Sequence, residues 1–484
     1  MFILQCVAVS KYIKVQPLVK DMVSTDLRPS DEYLVLASHL LWDLWHLTRE
    51  DRFLLQCAVT LHWGLASSPA NWQLKLMLIR VCVATGCGGL AAEVHASLDM
   101  KHLMLDSLGW VLAHQLVQCG QAGLVTGQAG LHLATMKFYT QVNKDTSDHI
   151  ITAYRTGTFY QIRDIYKLRR RITTSYNLMS TNTESHLYIL LHRTSSHSSA
   201  LSMMIYLDNF EDKDWDQKQD NRDLDTMVSW DPASSRDPDI RKTTMRTELL
   251  YSRTRQLILK CVQTSARISE ETSDILGMIT NGDDEVDHTL LEEYLEKLKA
   301  HWTVTCEESD SMKPKRPVPQ SPATPNLTNY KSSKQVETLV KVTDIVQRMM
   351  RDEDTIDISD VVDVTNDLEE RLSSLSDQVN THSLHLYHRR ELLESIMWHL
   401  ETIGLSCILF GVIVTIMKGA GACSGGSKGA KKGKKGGKGA VIQKYSDFVE
   451  NVNSAIEKFH QADKKLEDIV NVSFKRDFTE QHFT

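Results

Sequence analysis

The sequence predicts an all-α protein: a tetratricopeptide-like superhelix of helical hairpins, followed by a less regular helical C-terminal half. Three observations carry this. Apolar residues recur at spacings of three and four along most of the chain, as a helix with a broad apolar face requires. Helix breakers are few, with 23 Gly and 10 Pro in 484 residues. The breaks also return at a regular interval: Gly86, Gly120 and Gly157 lie 34 and 37 residues apart, and 34 residues before Gly86 stands Arg52, beside the polar turn Thr48–Asp51. A period near 34 with two helices per unit is the tetratricopeptide spacing. Glycine suits the tight turn between two helices because it tolerates left-handed backbone angles.

Composition bounds the class. The chain is 42% hydrophobic and 24% charged, which excludes wholesale disorder. A net charge of −7 excludes a chain that is basic throughout but leaves room for a local basic patch. Nine cysteines form no C-x-x-C pair, a usage that points to reduced thiols in the cytoplasm. The opening MFILQCVAVSK has no basic residue before its apolar run, so it reads as a helix start and not as a secretory signal.

The elements follow in order. Residues 1–205 read as tetratricopeptide-like repeats: an apolar run from Leu34 to Leu47, a second from Phe53 to Leu65 stopping near Pro69, and a third from Leu74 to Val83 ending at Thr85-Gly86. Residues 206–305 hold an acidic loop with Trp215 and Trp230 as aromatic anchors, then helices over about 243–278 and 286–303. Residues 306–335 carry five prolines and read as a linker. Residues 336–417 are helical again and end in the apolar run Ile403–Met417. Residues 418–440 form a Gly/Lys-rich basic loop, and 441–484 a C-terminal helical segment.

Signatures of catalysis fail. No G-x-x-x-x-G-K-[ST] loop and no H-E-x-x-H occurs. Gly425–Gly429 matches G-x-S-x-G but lacks the strand–turn–helix context that the chemistry needs. His382, His385 and His388 stand three apart on a helix, which spreads them over about a third of its circumference, and no carboxylate completes a metal set. Asn326-Leu327-Thr328 and Asn471-Val472-Ser473 match the glycosylation sequon, which carries no meaning in a cytosolic chain. No catalytic, cofactor or metal residue is assigned. The candidate binding residues are Lys428, Lys431, Lys432, Lys434, Lys435 and Lys438. Interleaved glycines keep this loop from a stable helix, and its charge suits a polyanion such as ribosomal RNA, bound without sequence preference. No aromatics interleave with the lysines, so base stacking is not expected there.

Several stretches resemble the auxiliary, non-catalytic subunit family of the N-terminal acetyltransferase B (NatB) complex. They are Asn71–Arg80, Ser97–His102, Lys144–Ile151 with Ala153-Tyr154, and Asp220–Leu224 followed by Ser229–Pro232. The resemblance covers about 30–300 well, 300–400 patchily, and beyond that only in the placing of an apolar helix before a lysine-rich loop. It implies a tetratricopeptide superhelix around a small catalytic subunit of the GNAT acetyltransferase type. That complex would acetylate nascent chains that begin with Met followed by Asp, Glu, Asn or Gln. Acetyl-coenzyme A would sit in the partner. The cofactor loop [RQ]-x-x-G-x-[GA] occurs nowhere in this chain, so it is not expected to acetylate alone. The resemblance further implies that N-terminal repeats of the family are missing here, and that the Pro-rich segment is a departure. The expected partners are thus the catalytic subunit and the ribosome, with no specific DNA and no membrane. Two other readings stay open on the residues: a generic helical-repeat adaptor, and a membrane-anchored helical protein using 402–417. The run 403–417 falls short of the roughly 20 residues that a span needs, which favours a buried core helix.

Overall fold

Short turns join the first helices, and each helix packs on the one before it. The computed structural model describes residues 1–16, 23, 25–112, 115–116, 119, 130–192, 215–226, 238–267, 284–311, 327–350, 360, 363–368, 370–371, 374 and 386–423. Helix α1 (Phe2–Val15) packs on α2 (Asp31–Thr48), α2 on α3 (Asp51–Ser67), α3 on α4 (Trp72–Ala84) and α4 on α5 (Gly88–Ala96). Asp31 and Glu32 lie in the first turn of α2, where carboxylates offset the helix dipole. Asn71 caps α4: its Oδ1 accepts from the N–H groups of Gln73 (3.0 Å) and Leu74 (3.2 Å). Its amide donates to Asp31 Oδ2 at 2.9 Å, which ties the starts of α2 and α4 together. Every residue of α4 from Leu76 to Ala84 is buried, as befits a helix enclosed on all sides. Arg80 is among them, with its guanidinium 4.3 Å from the Trp42 ring centre.

The chain continues through a short α6 (Leu103–Ser107), a long α7 (Leu131–Arg155), α8 (Phe159–Thr173) and α9 (Tyr176–His192). The left-handed glycine turns are found at two of the three expected places. Gly86 has φ 76° after α4, and Gly157 has φ 73° between α7 and α8; Gly120 lies outside the described residues. At the first break the left-handed residue is Arg49 (φ 58°), not a glycine. Gly86 has a second constraint: a Cβ there would stand 3.1 Å from Leu393 Cδ1, on the last helix of the chain.

The second half holds α10 (Pro238–Arg267), α11 (Asp284–Ser311), α12 (Leu327–Ser332), α13 (Gln335–Met350) and α14 (Leu386–Cys423). Among the described residues there is no strand, and one isolated bridge joins Ser175 to Gln219. Two expected boundaries move. The linker placed at 306–335 is helical at both ends. Residues 306–311 complete α11, where Glu308 pairs with Arg246 of α10 (2.6 Å), and α12 is anchored by the buried Tyr330. The loop placed from 418 begins later, because α14 runs on to Cys423; an established helix propagates one bond per residue at little cost.

Two large cores meet at α9. Leu187 and Leu190 belong to the C-terminal core, while Tyr188 on the same helix belongs to the N-terminal one. Met397 of α14 also packs against the N-terminal core. The apolar part of α14 has the length and composition of a membrane span over Arg390–Ile413, yet 72% of its apolar window is buried inside the protein. Ile403, Leu405, Ile408, Leu409 and Phe410 fill the C-terminal core, so this stretch is a core helix. It also carries a charge: Glu401 pairs with the fully buried Arg255 of α10, which pairs in turn with Glu184 of α9. Arg255 Nη1 and Nη2 donate to Glu401 at 2.6 and 3.0 Å, and Nη2 donates to Glu184 Oε2 at 2.7 Å. Gln335 of α13 donates to Glu401 Oε1 at 2.9 Å. Four helices thus share one ionic knot.

Buried histidines set an acid limit on this fold. Among the described residues neither ring nitrogen of His39 has a hydrogen-bond partner, and burial, aided by nearby Arg80, brings its pKa down to about 4. Burial does the same to His95, also to about 4. Between about 6.5 and 4 the unfolded chain therefore binds more protons than the folded one, and stability falls as pH falls through that window. Each histidine is expected to cost on the order of 1–2 kcal/mol at pH 5 relative to pH 7. Urea midpoints at the two pH values check this; equal midpoints would contradict it.

Candidate protein-docking hairpin

The functional residues expected from sequence, Lys428, Lys431, Lys432, Lys434, Lys435 and Lys438, lie outside the described residues. So do Trp230, His382, His385, the Gly425–Gly429 match and the asparagines of both sequons, Asn326 and Asn471. What the fold does present is a helical hairpin, α7–α8, with an unusual outer face.

The base of the hairpin is held firmly. Leu105, Phe138, Tyr139 and Ile172 form a small third core. Beside it Asp106, almost fully buried, accepts three hydrogen bonds. Tyr139 Oη and Ser175 Oγ donate to its Oδ1 at 2.5 Å each, and Asn221 Nδ2 donates to its Oδ2 at 2.9 Å. Asn177 Nδ2 donates to the Leu105 carbonyl and to Tyr139 Oη, both at 3.1 Å. Burial, then the Asp106 charge, holds the Tyr139 hydroxyl well above its ordinary pKa, so it stays a donor.

Asn221 sits in the segment 215–226, read from sequence as an acidic loop with an aromatic anchor. The anchor holds: Trp215 is buried and its Nε1 donates to Gln256 Oε1 at 3.0 Å. The segment is also a staple between the halves. The Asp223 N–H donates to the Ser107 carbonyl at 2.9 Å, while Arg222 pairs with Asp220 (2.7 Å) and with Glu248 of α10. The stretch Asp220–Leu224 thus owes its character to structural contacts on both sides.

Away from the base the hairpin is thinly packed. On α8 only Ile172 is buried, and Ile162, Ile165 and Arg169 are half-buried; these face α7. Helical geometry puts Tyr160, Arg163, Lys167 and Arg171 on the opposite side, with Phe159, Tyr166 and Arg170 flanking them. Tyr160 is 75% exposed, Tyr154 70%, Tyr166 60% and Phe159 58%. At the tip the Tyr154 and Phe159 rings meet edge to face at 5.7 Å. Gly157 makes the turn, and Thr158 Oγ1 donates back to the Ala153 carbonyl at 3.4 Å.

The hairpin is also locally basic. Residues 151–173 hold six cations and a single carboxylate, Asp164. Arg169 is engaged by Asn143 (3.1 Å), Arg171 by Asn221 (2.8 Å), and Lys167 lies 3.8 Å from Asp164. Among the described residues Arg155, Arg163 and Arg170 make no ion pair. Sequence motifs did not single out this patch. Its signal was present: four aromatics and an Arg169-Arg170-Arg171 run in two adjacent helices, beyond what their one apolar stripe needs. A second charged feature, the cleft of about 560 Å³ lined by α13 and by Asp360, Asp363, Asp367 and Arg371, differs in kind. There Arg348 pairs with Asp344 and Asp360, and Arg371 with Asp367, so cation and carboxylate largely satisfy each other.

Comparison with known proteins covers both halves. The family model described as N-acetyltransferase B complex (NatB) non catalytic subunit matches residues 2–224. The model described as Psidin-like, C-terminal domain matches residues 228–481. The chain is similar to N-alpha-acetyltransferase 25, NatB auxiliary subunit, of Rattus norvegicus, at 30% identity over 53% of this chain and 27% of that one. Its human counterpart is 32% identical over 50% of this chain and 25% of its own. The Phagocyte signaling-impaired protein of Drosophila pseudoobscura pseudoobscura is 28% identical over 50% and 25%. The matches thus span about a quarter of the relatives' length. Among solved structures, a chain of "The NatB Acetyltransferase Complex Bound To CoA and MES" aligns over 92% of this chain and 54% of that one, with TM-score 0.50 and 11% identity. At that identity the likeness speaks for the fold alone.

Proposed function

We propose, from the premise that this chain belongs to the family of NatB non-catalytic subunits, that it is a helical scaffold which binds and positions a catalytic GNAT-type acetyltransferase. The observation that carries the reading is the match of residues 2–224 to the NatB non-catalytic subunit model, beside which a Psidin-like C-terminal domain model matches 228–481. The absence of the acetyltransferase cofactor loop from the sequence supports a supporting role: acetyl-coenzyme A belongs to the partner, and this chain orients it. Substrates in this reading are cytoplasmic nascent chains beginning with Met followed by Asp, Glu, Asn or Gln. The lysines 428–438 are assigned contact with ribosomal RNA on their composition.

Co-expression with a NatB catalytic subunit, co-purification and an acetyl-transfer assay on a Met-Asp peptide test the reading. The expected result is a stable complex that acetylates faster than the catalytic subunit alone. A folded helical chain that retains no acetyltransferase would overturn it and favour a generic repeat adaptor. In the same preparation, changing Lys431, Lys432, Lys434 and Lys435 to Glu is expected to weaken ribosome co-sedimentation at low salt. Unchanged sedimentation would remove the ribosomal part.

A further inference from the structure

We infer that the outer face of α8, with the α7–α8 tip, is the surface on which this chain docks an acidic-rimmed apolar patch of the catalytic acetyltransferase. The inference rests on the scaffold reading above and adds the place and the chemistry. Three observations point to it. First, the face exposes Tyr154, Phe159, Tyr160 and Tyr166, large rings at more than half their full area. Monomeric surfaces rarely keep such a group in water, and contiguous apolar patches with a polar rim mark interaction sites.

Second, the local charge inverts that of the chain. The whole protein carries −7, but residues 151–173 carry six cations and one carboxylate. Arg155, Arg163 and Arg170 are left without an ionic partner among the described residues. A partner that satisfies them must bring carboxylates, and charge complementarity of this kind sets register and association rate. Third, the residue types are those of a protein interface. Five of the six cations are arginine and one is lysine. Tyr and Arg dominate binding hot spots, whereas Lys is depleted from them. The face also exposes the aliphatic Leu168, which buries area against a protein but offers nothing to a nucleobase. Single-stranded nucleic acid needs a groove that tracks its backbone; two packed helices present a ridge.

The hairpin is stiffened where it must be. Its base is fixed by Asp106 and the small core around Phe138, while its outer turns are free to be covered. Pre-set geometry of this kind reduces the ordering cost of association.

The test uses the full chain with the catalytic NatB subunit. Two double variants are made, Tyr160→Ala with Tyr166→Ala, and Arg163→Glu with Arg170→Glu, all at exposed positions, with helix content and Tm checked against the unmodified chain. Each is expected to weaken binding of the catalytic subunit by about ten-fold or more. The arginine pair should also flatten the salt dependence of affinity. The conservative pair Arg163→Lys with Arg170→Lys should lose less than the charge reversal. If the unmodified chain binds the catalytic subunit and both double variants bind it within about two-fold, this assignment falls while the scaffold reading stands. If the unmodified chain binds none, both fall. If the variants lose affinity for a single-stranded RNA oligonucleotide but keep the catalytic subunit, the face is an RNA surface and the inference is overturned.

Discussion

Replacing Arg255 by methionine is expected to destabilise the full chain by about 3–5 kcal/mol, the cost of leaving buried carboxylates unpaired. The guanidinium is fully buried, and the carboxylates it holds, Glu184 and Glu401, are each 4% exposed. Burial acts to lower the Arg255 pKa, but the two carboxylates outweigh it and hold the group well above its ordinary value. The cation is therefore charged at any working pH, and its removal strands two negative charges among Tyr251, Trp398 and the α14 core. Methionine fills comparable volume, so the loss would come from the charges and not from a cavity. The triple change Arg255→Met, Glu184→Gln, Glu401→Gln should recover more than half of it, since neutral amides need no counter-ion. Urea unfolding followed by circular dichroism measures both. A loss under about 1 kcal/mol for Arg255→Met, the size seen at solvated pairs, would mean that water reaches this site. Recovery would place the cost in unpaired charge, because the triple variant regains no ion pair and differs from the single one only in lacking the two stranded carboxylate charges.

That knot was invisible in the sequence for a plain reason. Glu184, Arg255 and Glu401 are 71 and 146 residues apart, and periodicity reports only neighbours along one helix. What periodicity does report held well. Leu34, Leu41, Leu54, Leu61 and Leu74 of the apolar runs are all fully buried, although Leu36 and Leu47 of the first run are exposed. Gly86 and Gly157 were legible because a left-handed backbone leaves a residue-type trace. Arg49 was not, because an arginine at φ 58° leaves none. Proline count misplaced the linker: the prolines of 306–335 begin only at Pro314, after α11 has ended. The apolar stretch of α14 was read correctly as core, but the side chains that make it so, Arg255 and Gln335, come from helices that the stretch itself cannot reveal. The hairpin face escaped for the opposite reason. Its aromatic residues satisfy helical periodicity well enough to pass for core, and only the fold shows that they stay exposed among the described residues.

Replacing Asp106 by alanine is expected to cost about 3 kcal/mol and to act on the hairpin before it acts on the rest of the chain. The buried carboxylate serves three donors: Tyr139 of α7, Ser175 at the start of α9 and Asn221 of the inter-half staple. Hydrogen bonds to a charged acceptor are worth roughly 1.5–3 kcal/mol each, and a buried donor left unmade costs about 1–3 kcal/mol. The terms overlap within one network, so the sum is well below three times either figure. Tyr139 and Asn177 can still pair with each other, which spares part of the loss. The substitution Asp106→Asn would keep one acceptor but turn a donor toward its neighbours, and should fall between alanine and the unmodified chain. Hydrogen exchange distinguishes a local from a global effect: protection should drop first in Leu131–Arg155 and in 218–226, while α4 and α10 keep theirs. Uniform loss across all helices would refute a local role for Asp106. If the hairpin is the docking surface, the same change should weaken catalytic-subunit binding although Asp106 lies at the hairpin's base, because a ridge that rocks at its base presents Tyr160 and Arg163 in many orientations, and association must then select one of them at an entropic cost.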